Sequence, residues 1–374
     1  MRFLFSFCLF ISLSAIAQKP RARDIGIEIG VLPTGKENAI TDVSGVLVGH
    51  TTLVKGDSIY TGVTAILAHG GNLFQQKVPA AVYIGNGFGK LAGISQVQEL
   101  GNIETPILLT NTLSVATAME AVITHTLHQK GNETIQSVNA VVGETNDGTL
   151  NDIRGRHVKT SDVLQAISSA KGGKVLEGNI GAGTGTVCFG WKGGIGTASR
   201  KLPESLGGYT VGVLVQTNFG GVLQIDGVPV GEQLNKFSFS DKLKNPVDGS
   251  CMIIVATDAP LDSRNLQRLA KRAFMGLAKT GGIASNGSGD YVIAFSTNAS
   301  VSIAHESADV TDTTMLLRND RTSPLFMAAI EATEEAIINS LFAAETVIAK
   351  GGRKVESLPV QKVISIIRSY KHLK

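Results

Sequence analysis

The sequence predicts one mixed α/β domain in which β-sheets pack on each other and helices cover them. Two observations predict this. Apolar runs of strand length alternate with helical stripes in both halves of the chain, and no low-complexity linker or fixed-period repeat divides them. The 374 residues also include 43 glycines, a clear excess over average usage. They fall singly and in pairs, as tight turns and close backbone approaches in a sheet-rich fold require.

In chain order, residues 45–49 and 61–67 read as an early pair of strands, followed by strands at 79–84 and 106–109. Residues 114–128 read as a helix with Val115, Ala118, Met119, Val122, Ile123 and Thr126 on one stripe. A buried strand at 138–142 precedes a short helix at 161–170 with Ser161 as N-cap. Strands follow at 187–191, 209–215 and 253–256. The clearest helix covers 262–279: Asp262 or Ser263 caps it, Leu266, Leu269, Ala270, Ala273, Phe274 and Leu277 form its stripe, and Gly281-Gly282 ends it. After a strand at 291–295, Thr322-Ser323-Pro324 starts a long helix expected to run to about Lys350 and stop at Gly351-Gly352. Residues 359–370 give a last helix.

The N-terminus reads as a secretory signal at residues 1–17. Arg2 supplies the positive charge, residues 3–11 are almost wholly apolar, and Ala15-Ile16-Ala17 is a cleavage motif. The mature protein is expected to comprise residues 18–374 as one domain, periplasmic and free of the membrane once the signal is removed. Cys8 lies within the apolar stretch, so no lipid anchor is expected. Cys188 and Cys251 sit in apolar strand-like runs and are expected to be buried free thiols. The net charge of +3 is small and scattered, without the basic blocks that a nucleic-acid partner would need. Of the histidines, His125 and His128 share a helix face but lack a third ligand nearby, so no metal site is expected. Residues 178–186 and 85–90 are glycine-rich but fail the spacing of nucleotide-binding loops, so no cofactor is expected; there is no G-x-S-x-G elbow either.

The most suggestive bond is Gly249-Ser250, where a mostly polar segment, 236–248, meets the apolar run 251–256. A serine hydroxyl there could attack the preceding carbonyl, and hydrolysis of the ester would free Ser250 as a new N-terminus. That residue would carry a nucleophile and an α-amine titrating near pH ~8. A loop serine at a strand start is the alternative reading. Four other segments bear on it. Glu144, in Glu144-Thr145-Asn146-Asp147-Gly148, could anchor a cationic amine or belong to a turn. Residues 178–186 read as close backbone packing. Asn218, at a strand end before Phe219-Gly220-Gly221, could donate to an oxyanion or close an Asx-turn. Ser288 and Asp290, two apart at the mouth of a strand, could relay a proton or form a polar turn.

These segments in this order resemble the L-aminopeptidase/D-Ala-esterase/amidase (DmpA) family, which includes the β-peptidyl aminopeptidases. The resemblance spans nearly all of the mature chain. It runs from Arg23-Asp24 and Thr41-Asp42-Val43-Ser44-Gly45-Val46-Leu47-Val48-Gly49-His50 through Glu144-Thr145-Asn146-Asp147-Gly148, the loop at 178–185 and Thr217-Asn218-Phe219-Gly220. It closes with Asp248-Gly249-Ser250, Ala256-Thr257-Asp258-Ala259-Pro260-Leu261 and Ser285-Asn286-Gly287-Ser288-Gly289-Asp290. The resemblance implies a four-layer αββα sandwich like that of N-terminal nucleophile hydrolases, shared with the ornithine acetyltransferases. It implies a precursor cleaved before Ser250 into residues 18–249 and 250–374, with Ser250 as nucleophile and no metal or cofactor. Asn218 is implied as the oxyanion donor, Ser288 and Asp290 as proton partners, and Glu144 as the grip on the substrate's amine. The implied activity is release of N-terminal residues from peptides, amino-acid amides or esters, including β-amino-acid peptides. The implied assembly is a tetramer of αβ units. Some relatives carry a catalytic tyrosine near position 146; this chain has Asn146 and no tyrosine between Glu144 and Asp152, so no tyrosine-dependent step is expected. An acyltransferase on the same fold and a non-catalytic periplasmic binding protein are the rival readings. Ser250 speaks against the first, whose known members use threonine.

Overall fold

The computed structural model describes residues 19–240 and 249–372. The expected signal peptide and most of the polar segment before the junction lie outside these residues. Elements in chain order are β1 (Leu47–Lys55), β2 (Ile59–Leu67), β3 (Gln76–Gly87), α1 (Ile94–Leu100), β4 (Asn102–Ile103), β5 (Ile107–Asn111), α2 (Val115–Leu127), β6 (Val141–Thr145) and α3 (Thr160–Ser168). There follow β7 (Val187–Cys188), β8 (Trp191–Lys192), β9 (Gly194–Lys201), β10 (Thr210–Asn218), α4 (Val230–Gln233), β11 (Ser250–Thr257), α5 (Ser263–Lys279) and β12 (Gly289–Ser296). The chain ends with β13 (Ile303–Ala304), α6 (Ser323–Ala343), β14 (Val347–Ala349), β15 (Arg353–Val355) and α7 (Val360–His372).

One sheet has the order β1-β2-β5-β6, and the larger has β13-β3-β12-β11-β10-β9 with β4 beside β3. Three hydrophobic cores stack between the layers. Val63, Ala65 and Leu108 of the small sheet pack on α2 and α3 through Ala118, Val122 and Val163. Val48, Ile66 and Leu109 on its other face meet Leu214, Met252, Ile254 and Ile293 of the large sheet. Val213, Val215, Cys251, Ile253 and Val255 on the far face meet Leu266, Leu269, Ala332 and Ile337 of α5 and α6. The layers therefore run helix, sheet, sheet, helix. The two-residue period of a strand explains why 251–256 reads as an unbroken apolar run: odd positions face the helices, even positions the other sheet. Each Met, Ile or Val of this run contributes about 1.5–3 kcal/mol on burial.

Four local expectations are corrected. Ser161 lies inside α3, which starts one residue earlier; Lys159 is its N-cap, and the Asp162 carboxylate accepts the Lys159 N–H at 2.8 Å. Residues 187–191 are not one strand but the hairpin β7–β8, turning at Phe189 and Gly190 with φ of 51° and 74°. The long helix stops at Ala343, not near Lys350. The β-branched run Thr346-Val347-Ile348 favours extended backbone and enters the β14–β15 hairpin, whose turn Gly351 and Gly352 make at positive φ. The strand expected at 138–142 is β6, displaced toward the C-terminus so that Glu144 lies within it. Of the strands that the sequence reading did not predict, β9 is the longest. Its Gly196 leaves no room for a side chain, since a Cβ would stand 1.9 Å from the Ala336 carbonyl of α6.

Candidate active site

Three strand ends meet at Ser250. As the first residue of β11 it is the register partner of Asn218, the last of β10, and of Gly289, the first of β12. The strands place Asn218, Ser250 and the Ser288–Asp290 run together although 72 positions of sequence separate the outermost of them (290 − 218).

The Ser250 hydroxyl lies 2.6 Å from the carbonyl oxygen of Gly249, its own preceding peptide, and donates to it. The Gly289 N–H reaches the same oxygen at 3.1 Å. Position 249 is tightly packed: a Cβ there would stand 2.6 Å from Phe219 Cα and 2.8 Å from the Asn218 carbonyl oxygen, so any side chain forces the junction to shift. The side chain of Ser250 is buried.

Asn218 Oδ1 accepts the Val187 N–H at 2.9 Å, so the β7–β8 hairpin fixes the oxygen end of the amide and makes Nδ2 its donor end. The hairpin is itself anchored by Lys192, a fully buried lysine whose Nζ donates to the Gly183 and Gly193 carbonyls at 2.9 and 2.7 Å. Burial pulls its ammonium down to about 7.

Ser288 Oγ donates to Asp290 Oδ1 at 2.8 Å, and the buried Asp290 Oδ2 has no hydrogen-bond partner among the described residues. Burial pushes the Asp290 carboxyl up to about 6, against the lowering effect of the Ser288 hydrogen bond.

Glu144 is nearly fully buried. Its Oε1 accepts the Lys90 N–H at 2.9 Å and its Oε2 the Thr112 hydroxyl. Burial raises its pKa, while those two bonds and the Lys90 charge oppose the rise. No ion pair at Glu144 occurs among the described residues. A chain of close approaches joins it to the serine. A Cβ on Gly289 would stand 3.4 Å from Ser250 Oγ and 2.6 Å from Gly89 Cα, and a Cβ on Gly89 would stand 3.5 Å from Glu144 Oε1. Glycine at 89 and 289 is what allows the close backbone approach that links the carboxylate to the hydroxyl.

All five side chains singled out in the sequence thus converge. Reading the sequence missed their supports: Tyr291, whose hydroxyl donates to the Gly89 carbonyl at 2.9 Å; Thr112 on Glu144; and Val187 on Asn218. The glycine-rich run 85–90 was the visible signal, since close backbone packing there is what wedges Gly89 between Tyr291 and Gly289. Cys251 and Cys188 are buried and form no disulfide among the described residues, and burial raises both thiols, Cys188 to about 12. Cys251 faces the helical layer and offers no rival nucleophile. His125 and His128 engage their own helix, through Gln129 and the Thr124 carbonyl.

A family model for peptidase family S58 matches residues 38–355. The chain is 40% identical over 391 residues to β-peptidyl aminopeptidase BapA of Sphingosinicella microcystinivorans, across 98% of this chain and 96% of that one. Its fold is similar to that of a β-aminopeptidase from a Burkholderia species, with a TM-score of 0.86 and 41% identity over 94% of this chain and 99% of the other. It is equally similar to the L-aminopeptidase D-Ala-esterase/amidase of Ochrobactrum anthropi, with a TM-score of 0.87 and 35% identity over 95% of this chain and all of the other. That enzyme is described as a prototype for the serine aminopeptidases and a variant of the Ntn hydrolase fold, which agrees with the helix-sheet-sheet-helix layering found here.

Proposed function

The chain belongs to peptidase family S58, a family of aminopeptidases, and on that premise we propose that it cleaves its own Gly249-Ser250 bond and then uses Ser250 as an N-terminal nucleophile. The observation that carries this is the Ser250 hydroxyl at 2.6 Å from the Gly249 carbonyl oxygen, with the Gly289 N–H on the same oxygen. Attack of Oγ on that carbonyl carbon breaks the C–N bond and forms an ester, and the Gly289 N–H steadies the charge that develops on the oxygen. Water then hydrolyses the ester, leaving fragments of residues 18–249 and 250–374.

The freed Ser250 attacks the carbonyl of a substrate's first residue. Its proton passes to its own α-amine or to the Ser288–Asp290 pair and from there to the leaving amine. Asn218 Nδ2 donates to the oxyanion. Glu144 pairs with the substrate's ammonium, which restricts attack to the first residue of the substrate. Water resolves the acyl-enzyme. Substrates are peptides, amino-acid amides or esters with a free amine, β-amino-acid peptides included, in keeping with the activity named for the BapA relative. Export to the periplasm is proposed from the signal-like residues 1–17, and assembly as a tetramer of αβ units from the family resemblance.

Intact-mass measurement of the purified protein tests the reading. Two tightly associated fragments ending at Gly249 and starting at Ser250 are expected, and Ser250→Ala should leave one uncut, inactive chain. An uncut wild-type chain with full peptidase activity would sink it. An acyltransferase would instead pass the acyl group to an added amine in preference to water.

A further inference from the structure

The end of β3 and the residues that follow it are fastened at several points, yet they present a large side chain to solvent. Asn86 Nδ2 donates to the Ser285 and Asn286 carbonyls at 3.0 and 3.2 Å. The Phe88 N–H donates to the Ser288 carbonyl at 3.1 Å. The Tyr291 hydroxyl donates to the Gly89 carbonyl at 2.9 Å and accepts the Gly89 N–H at 3.3 Å. The Lys90 N–H holds Glu144 Oε1 at 2.9 Å. Between these fixed points the Phe88 ring is 62% exposed, with the Lys90 ammonium 5.6 Å from its centroid. Leu113, 44% exposed, directly follows Thr112, which holds the other oxygen of Glu144.

From this placement we infer that Phe88, with Leu113, forms the wall on which the side chain of the substrate's N-terminal residue packs. The inference rests on the aminopeptidase reading and names its preferred substrate class: residues with a large aromatic or aliphatic side chain. Gly89 stands between Glu144 and Gly289, the neighbour of Ser250 Oγ, so a residue with its amine at Glu144 and its carbonyl at Ser250 lies along the backbone at Gly89. Its side chain then lies alongside Phe88. An exposed ring on a rigid backbone loses little freedom when it is covered, so its apolar area converts efficiently into affinity. The Lys90 charge beside the ring disfavours a second cation, so lysine- and arginine-like side chains are rejected.

The test compares Phe88→Ala with wild type on p-nitroanilides of alanine, phenylalanine and lysine and on their β-homologues. Wild type should favour phenylalanine and discriminate against lysine. Phe88→Ala should lose about tenfold in kcat/KM on phenylalanine, carried by KM, which corresponds to about 1.4 kcal/mol. Its rate on alanine should stay within about twofold, and its self-cleavage should be unchanged. Equal loss on alanine and phenylalanine, or no loss on either, overturns the inference. So does a change in assembly mass with selectivity intact, which would make Phe88 a contact between copies of the chain. A wild-type chain that stays uncut and inert on every substrate would instead remove the aminopeptidase reading itself.

Discussion

Arg200 Nη2 and Glu335 Oε2 meet at 2.7 Å as an ion pair with both side chains fully shielded from water. One partner lies before the Gly249-Ser250 bond and the other after it. Arg200 also pairs with Glu331 at 2.9 Å, and Arg23 reaches Glu335 at 2.9 Å, so two arginines that precede the junction are held by two glutamates of α6. If the chain is cut at the junction, this cluster and the β10–β11 ladder are what keep the pieces together. Removing one partner of a buried pair leaves an uncompensated charge and typically costs about 3–5 kcal/mol. Glu335→Ala should therefore lower the urea midpoint and release the fragments from each other at denaturant concentrations where wild type remains joined, as size exclusion in urea would report.

Asp290 gives a pH prediction with a defined sign. Burial lifts its carboxyl to about 6 from an ordinary value of 3.8. If the ionised Ser288–Asp290 pair accepts the serine's proton, kcat/KM should rise as pH increases through about 6. Asp290→Asn should remove that limb of the profile. Stability moves the other way. Between the unfolded and folded values the native state binds more protons than the unfolded one, so this residue makes the protein less stable as pH rises from about 4 to about 6. Asp290→Asn should accordingly raise Tm at pH 7 while lowering activity. Thermal melts and pH–rate profiles on one preparation separate the two effects, and a variant with lower Tm at pH 7 would contradict the assignment.

The candidate site residues were legible in the sequence because each sits at the end of an apolar strand in a short polar run. Ser250 follows polar residues and opens β11; Asn218 closes β10; Ser288 and Asp290 open β12; Glu144 lies near the end of β6. Less legible was whatever depends on contacts distant in sequence. β9 carries glycines because α6 presses on Gly196 and the backbone at Gly178 presses on Gly194, so its pattern resembles a loop. The helix of 323–343 could not be ended correctly from Gly351-Gly352, since the extended preference of Thr346-Val347-Ile348 acts earlier. Tyr291 reads as strand core, and its bond to Gly89 exists only through the β3–β12 pairing.

Gly249→Ala separates folding from self-cleavage. The added methyl would collide with Phe219 Cα and the Asn218 carbonyl, both backbone groups at the end of β10. The junction must shift, and the alignment of Ser250 Oγ with the Gly249 carbonyl shifts with it. Because β11 remains buried on both faces, the precursor should fold. The expected product is a folded chain cut at least tenfold more slowly than wild type, followed by gel and mass analysis over time. Cleavage at the wild-type rate would show that the close packing around residue 249 is irrelevant to the reaction.

Glu144 should act on the substrate's charge. Its two oxygens are already held by the Lys90 N–H and the Thr112 hydroxyl, and it has no cationic side chain paired with it among the described residues. Desolvation keeps its pKa above the usual carboxylate range, so an arriving ammonium both supplies the missing countercharge and favours ionisation. Glu144→Gln preserves the shape and keeps an acceptor for one of these bonds but removes the charge. KM for free-amine substrates should rise about 10- to 100-fold, in line with about 1.5–3 kcal/mol for a hydrogen bond to a charged group. Self-cleavage, which involves no substrate amine, should continue. N-acetylated substrates should be poor for wild type and no worse for the variant. Equal wild-type rates on free and acetylated substrates would remove Glu144 from amine recognition and, with it, the restriction to the first residue of the chain.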